Sequence, residues 1–195
     1  GHGVGDGDVP VGDAAVDDLK FLETAQDLVH EAPWNGEVFI IRLRRTPAKP
    51  GPAGGGSGAS GCAIVRTGLG SKARVIGVQA AEADAFTRSW RGPERVVASR
   101  MGTFAEGMAT RCTFDLTFEI LKRELDDIVT LSEAELEEGV RLALRTTHNL
   151  AEGAGSAALM AAVKMGNQLR NKKVVCVMSG GNMNAAVLRR ILASS

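Results

Sequence analysis

Four short apolar runs rich in β-branched residues, each followed by a stretch with helical spacing, constrain this chain more than any other feature. They are Glu37–Leu43, Arg74–Val78, Asp127–Leu131 and Lys173–Met178. Strands that alternate with helices need crossover connections, which give a mostly parallel sheet with helices on both faces. Continuous apolar strands suit burial on both sides. The expectation is therefore an α/β, three-layer (αβα) architecture. In such sheets ligands bind where strands end at their carboxyl side.

The helical stretches fill the intervals. Gly54–Gly61 opens a helix that runs to about Leu69, and another covers Ala83–Trp90. Residues 91–102 read as a loop. Phe114, Phe118, Leu121 and Leu125 then share one helical face. Ser132 followed by Glu135 is a capping box, and Leu136, Val140 and Ala143/Leu144 form the stripe of the helix it starts. A further helix follows Gly153–Gly155, with Ala158, Ala161/Ala162, Met165 and Leu169 on its buried side, and Gly180-Gly181 turns the chain into a last helix, Ala185–Leu192.

Upstream the composition changes. Residues 1–12 are glycine-rich and acidic and predict a disordered arm. Residues 13–31 predict a helix capped by Asp13, with Val16, Leu19, Leu22, Ala25 and Val29 on one stripe. Pro47, Pro50 and Pro52 mark residues 44–52 as an exposed linker. Three zones result: 1–12, an atypical helix–strand–linker zone at 13–52, and a regular zone at 53–195.

Composition excludes several functions. Lys+Arg and Asp+Glu balance at 23 each, aromatic residues make up 4%, and Tyr is absent. Neither a basic footprint nor stacking platforms for nucleic acid are present. No apolar run is long enough for a membrane helix, and no basic-then-apolar leader opens the chain. Cys62, Cys112 and Cys176 are scattered, as are His2, His30 and His148. This argues against a disulfide framework or a zinc site and for reduced thiols in a cytoplasmic protein.

Two glycine-rich turns carry the chemistry. Gly54, Gly55, Gly56, Ser57 and Gly58 combine backbone freedom with a helix start, which aims free N–H groups and the positive end of the helix dipole at one point. A phosphate monoester fits; so does a flexible Gly/Ser linker. The run is neither a P-loop nor a properly spaced dinucleotide turn. Ser179-Gly180-Gly181-Asn182 follows a clean strand and either points a hydroxyl into the crevice or simply bends the chain.

The order of motifs is more specific than any one of them. The glycine loop is followed by V-I-G-V-Q, A-E-G-M-A, D-D-I-V-T-L-S-E-A-E-L, A-E-G-A-G-S-A-A-L and K-K-V-V-C-V-M-S-G-G-N. From Ala53 to Ser195 this resembles the threonine/serine dehydratases (ammonia-lyases) and serine racemases, which are fold-type II pyridoxal-phosphate (PLP) enzymes. The resemblance implies the C-terminal half of that family's large domain. It implies PLP as cofactor, with its phosphate wrapped by Gly54, Gly55, Gly56, Ser57 and Gly58 and its pyridine nitrogen met by Ser179. It implies β-elimination on a small hydroxy-amino acid. Glu152 matches an acidic residue near the cofactor ring, or serves as an acid at a helix start.

The departures matter equally. Relatives that bind a cation use a glutamate where this chain has Gln79 and an aspartate where it has Ala85; Asp84 and Glu82 are out of register. No metal is expected there. The family's Schiff-base lysine lies in an S-x-K-x-R-G type segment, and its substrate carboxylate sits in an S-x-G-N-H type loop. Neither segment occurs in the 195 residues, and none of Lys20, Lys49, Lys72, Lys122, Lys164, Lys172 and Lys173 has that context. No catalytic residue is therefore assigned, and a truncated chain, inactive alone, is expected. The alternative is a non-catalytic interaction module that pairs with itself or with a full-length family enzyme. A nucleotide-binding domain is disfavoured, because Gln79 stands where an acidic ribose ligand belongs.

Overall fold

The computed structural model describes the backbone of Val38–Arg42 and residues 56–194. The expected arm at 1–12, the helix at 13–31, the linker at 44–52, and Gly54 and Gly55 lie outside the described residues.

Among the described residues four strands form one parallel sheet: β1 Val38–Arg42, β2 Arg74–Ala80, β3 Asp127–Leu131 and β4 Val174–Cys176, in the order β3-β2-β1-β4. In register, Ile40 lies opposite Ile76 of β2 and Cys176 of β4, and Gln79 of β2 lies opposite Thr130 of β3. Among the described residues six α-helices connect and flank the strands: α1 Ser57–Gly68, α2 Ala85–Arg91, α3 Asp115–Glu124, α4 Glu133–Thr147, α5 Gly153–Met165 and α6 Ala185–Ala193.

The period of two along the strands divides the core into two layers. Ile76, Val78 and Ala80 of β2 and Leu131 of β3 face Leu136 of α4 and Ala154, Ala157, Ala158 and Ala161 of α5. Val75 and Ile128 point the other way, onto Ala59 and Ala63 of α1, Phe86 of α2 and Phe118, Leu121 and Leu125 of α3. This is the three-layer arrangement that the strand–helix alternation predicts. Helix α5 is buried almost all round because it lies between the sheet and α4. Small residues allow this: a Cβ on Gly139 of α4 would come within 3.1 Å of Met160 and of the Ser156 hydroxyl.

Local signals explain the boundaries. Ser132 caps α4 by accepting from Glu135 N–H, and Glu135 accepts in return from Ser132 N–H. Asn184 caps α6 by accepting from Ala186 N–H. β4 is shorter than the Lys173–Met178 run, since its ladder to β1 spans Val38–Ile40. The predicted helix to Leu169 ends at Met165 and continues as a 3-10 turn, Gly166–Leu169, where Gly166 takes φ +40°. Among the described residues no helix is long and apolar enough to cross a membrane.

Candidate functional site

The sheet order places the site. The chain steps outward from β1 through β2 to β3, then returns to the other side of β1 as β4. The crevice beyond the carboxyl ends of β1 and β4 is thus the topological switch point, the place where open parallel sheets take ligands.

Helix α1 starts at that end. Its last turn is held at the opposite, amino end of the sheet, where Arg66 bonds Asp126 at 2.8 Å and Glu124 at 3.0 Å, and the chain enters β2 a few residues later at Arg74. At its start Gly56 adopts φ +87°, and a Cβ there would stand 2.7 Å from Leu121 Cδ1. The positive φ favours glycine; the Leu121 contact is with a side-chain tip that can shift. The first turn contains no acidic side chain and receives no side-chain cap. The N–H groups of Ser57, Gly58 and Ala59 have no intrahelical acceptor by construction, while Ser60 N–H bonds Gly56 O at 2.8 Å. Gly58 has open space where a Cβ would stand, so crowding does not demand glycine there.

The second turn is built against the start of α5. Glu152 N–H donates to Gly180 O at 3.1 Å, and Ser179 N–H donates to Gly155 O at 3.4 Å. A Cβ on Gly155 would meet Gly180 O at 2.3 Å and Ser179 O at 2.4 Å; one on Gly181 would meet Leu150 O at 2.4 Å. Gly180 itself has φ +76°. The A-E-G-A-G and S-G-G-N segments, separated by 23 residues or more in sequence, are therefore one interlocked unit. The strand–turn–helix pattern reveals each segment, with Gly155 at a helix start and Gly181 in a turn, but not the contact that makes both glycines necessary. The A-E-G-A-G spacing is the signal that carries them.

The Ser179 hydroxyl, which this unit holds, is buried and has no hydrogen-bond partner. A buried, unpaired hydroxyl costs about 1–3 kcal/mol. A single hydroxyl donor at one strand end, beside a glycine-lined helix start at the next, fits a heteroaromatic nitrogen and a phosphate group. The first turn of α1 carries no acidic side chain to repel that phosphate, while Glu152 stands at the N-cap of α5.

The neighbouring groups are accounted for. Burial pushes the Cys62 thiol up to about 11 and raises Cys176 as well, so both are neutral thiols. Gln79 is 1% exposed, and its carboxamide oxygen accepts from Thr87 N–H at 2.9 Å and Thr87 Oγ1 at 2.7 Å. That oxygen clamps the end of β2 to α2. Among the described residues no three His, Cys, Asp or Glu side chains converge as a metal-binding group.

Comparison with known proteins places this geometry. Residues 50–180 match the family described as pyridoxal-phosphate dependent enzyme. The L-threonine ammonia-lyase of Thermotoga maritima is 33% identical over 141 residues, covering 72% of this chain and 35% of that protein. The catabolic L-threonine dehydratase of Escherichia coli is 31% identical over 142 residues, covering 72% of this chain and 43% of its own length. The chain thus spans less than half the length of these curated relatives. The processed form of tomato (Solanum lycopersicum) threonine deaminase isoform 2 superposes with a TM-score of 0.74 over 89% of this chain and 45% of that one; at 22% identity this speaks to the fold alone. The chain belongs to the pyridoxal-phosphate-dependent enzyme family, and these curated relatives are of the threonine dehydratase type.

Proposed function

We propose that this chain forms the phosphate-side and pyridine-side walls of a PLP site in an ammonia-lyase of the threonine/serine dehydratase type. The observation that carries the reading is the buried, unpartnered Ser179 hydroxyl at the end of β4, next to the strand that leads to the glycine loop. In this reading Gly54, Gly55, Gly56, Ser57 and Gly58 donate backbone N–H groups to the cofactor phosphate, and the dipole of α1 adds to their attraction. Ser179 donates to the pyridine nitrogen and leaves it without a proton. The cofactor, when bound, supplies an electron sink for the substrate's α-carbon. The residues named here bind and orient. The proton at that carbon needs a base, and the family's lysine segment is not among these 195 residues. We therefore assign the chain a cofactor-holding role with no turnover by itself; a small hydroxy-amino acid is the substrate class of the complete site.

The test is an absorbance titration with PLP, followed by borohydride. The expected result is a saturable spectral change that dialysis reverses and that borohydride does not fix to a lysine. No change at millimolar PLP rejects the reading.

One observation favours a second role, as a module that pairs with a copy of itself or a family enzyme. Among the described residues β3 and β4 are sheet edges, and open edges invite pairing. Sedimentation at micromolar concentration decides it, since a compact monomer without partner dependence would exclude pairing.

A further inference from the structure

We infer that Ser60, which no motif assigns, contributes a side-chain hydroxyl to the phosphate held at the start of α1; this rests on the cofactor reading above. Ser60 is 4% exposed, and its Oγ has no hydrogen-bond partner. Hydroxyls inside helices normally bond back to a carbonyl one turn earlier. This chain does so repeatedly: Ser89 Oγ donates to Ala85 O at 2.7 Å, Thr146 Oγ1 to Leu142 O at 2.7 Å, Thr147 Oγ1 to Ala143 O at 2.7 Å and Ser156 Oγ to Glu152 O at 3.2 Å. Ser60 does not, although Gly56 O is available one turn back and accepts Ser60 N–H.

Position explains where the hydroxyl is aimed. Side chains of a helix lean toward its N-terminus and cover the turn before their own Cα, so Ser60 overlies Gly56 and Ser57. Ala59, Cys62 and Ala63 of the same helix join the apolar cluster with α2 and α3. Ser60 lies about 100° round the helix from Ala59, at the flank of that apolar stripe. An alanine would pack as well here and favour the helix more. The hydroxyl is thus a buried, unpartnered donor in the first turns of a helix. A phosphate oxygen is the acceptor that such a donor lacks.

The experiment compares PLP with pyridoxal, which lacks the phosphate, on the full chain and on Ser60→Ala. We expect Ser60→Ala to weaken PLP by about tenfold or more, the loss of one hydrogen bond to a charged group, with pyridoxal affinity and Tm not reduced. Inorganic phosphate should compete with PLP less well in the variant than in the wild type. Unchanged PLP affinity in Ser60→Ala overturns the inference and leaves the cofactor reading standing. Equal weakening of PLP and pyridoxal also overturns it, because the effect would not be at the phosphate. A wild-type chain that binds neither PLP nor phosphate removes the cofactor reading and this inference together.

Discussion

At position 155 the next backbone is so close that a single methyl group has nowhere to go. The carbonyl oxygens of Gly180 and Ser179 would stand 2.3 and 2.4 Å from it. Backbone oxygens cannot swing aside as a side-chain tip can. Gly155→Ala should therefore push the S-G-G-N turn off α5, cost about 1–3 kcal/mol, and lower Tm by roughly 2–4 °C per kcal/mol at this chain length. Ser179 moves with that turn, so PLP-dependent absorbance should fall with it. Gly58→Ala is the contrast. A Cβ there meets nothing within 4 Å, and alanine exceeds glycine in helix propensity by about 1 kcal/mol. Thermal melts should show Gly58→Ala at or above wild type and Gly155→Ala below it. A Gly155→Ala protein with unchanged Tm and spectrum would remove the interlocked turn from the account of the site.

Between elements, a dense polar tie joins α1 to the α3–β3 corner. The Thr67 hydroxyl donates to Glu124 Oε2 at 2.5 Å, and Arg123 and Arg66 add bonds at 2.8 and 3.0 Å. Led by Thr67, these hold the Glu124 carboxyl at about 2, below its ordinary 4.5. A folded-state value below the unfolded one means stability that is present above about pH 4.5 and is lost as pH falls toward 2. Urea melts of wild type and Glu124→Gln should therefore differ most above pH 4.5 and converge on acidification; a gap independent of pH would exclude this ionic role. The sequence hides this tie, because its partners are 57 and 58 residues apart. It shows the local signals plainly: Ser132 and Glu135 mark the start of α4, and the apolar run Asp127–Leu131 is β3 to the residue. Local chemistry writes such features into a few neighbouring residues. The length of β4 was less legible, since pairing with a distant strand sets it. So were the short 3-10 turns Ala81–Ala83 and Glu106–Met108, which carry no periodic stripe. For the candidate site, the sequence offers Gly56 and Ser179 as turn motifs between strand and helix; Ser60, Gly155 and Gly181 depend on what they face, which a linear pattern does not state.

For the molecule as a whole, the decisive question is whether any lysine it contains can reach the carboxyl ends of the strands. The described lysines are turned to other work or to the other end. Lys72 lies just before β2, and Lys172 and Lys173 just before β4, at the amino side of the sheet. Lys122 donates to the carbonyls of Trp90 and Gly92 near the end of α3, whose chain then enters β3. Lys164 bonds Thr130 O at 3.0 Å and Glu135 at 2.9 Å, on the β3 flank away from β4. A cofactor placed at the switch point between β1 and β4 thus has the sheet between it and the strand-entry lysines. Proton transfer needs its base within hydrogen-bond reach of the reacting carbon's proton, directly or through one water. Among the described residues no lysine is placed for this, and Lys20 and Lys49 lack the family's S-x-K-x-R-G context in the sequence. The 195-residue chain supplied with PLP and threonine or serine should release no keto acid above the rate of free PLP. Release at an ordinary enzymatic rate, abolished by replacing one of the seven lysines, would show that a base reaches the crevice after all. It would move the catalytic assignment to that residue while leaving the Ser179 and glycine-loop contacts to be judged by their own binding tests.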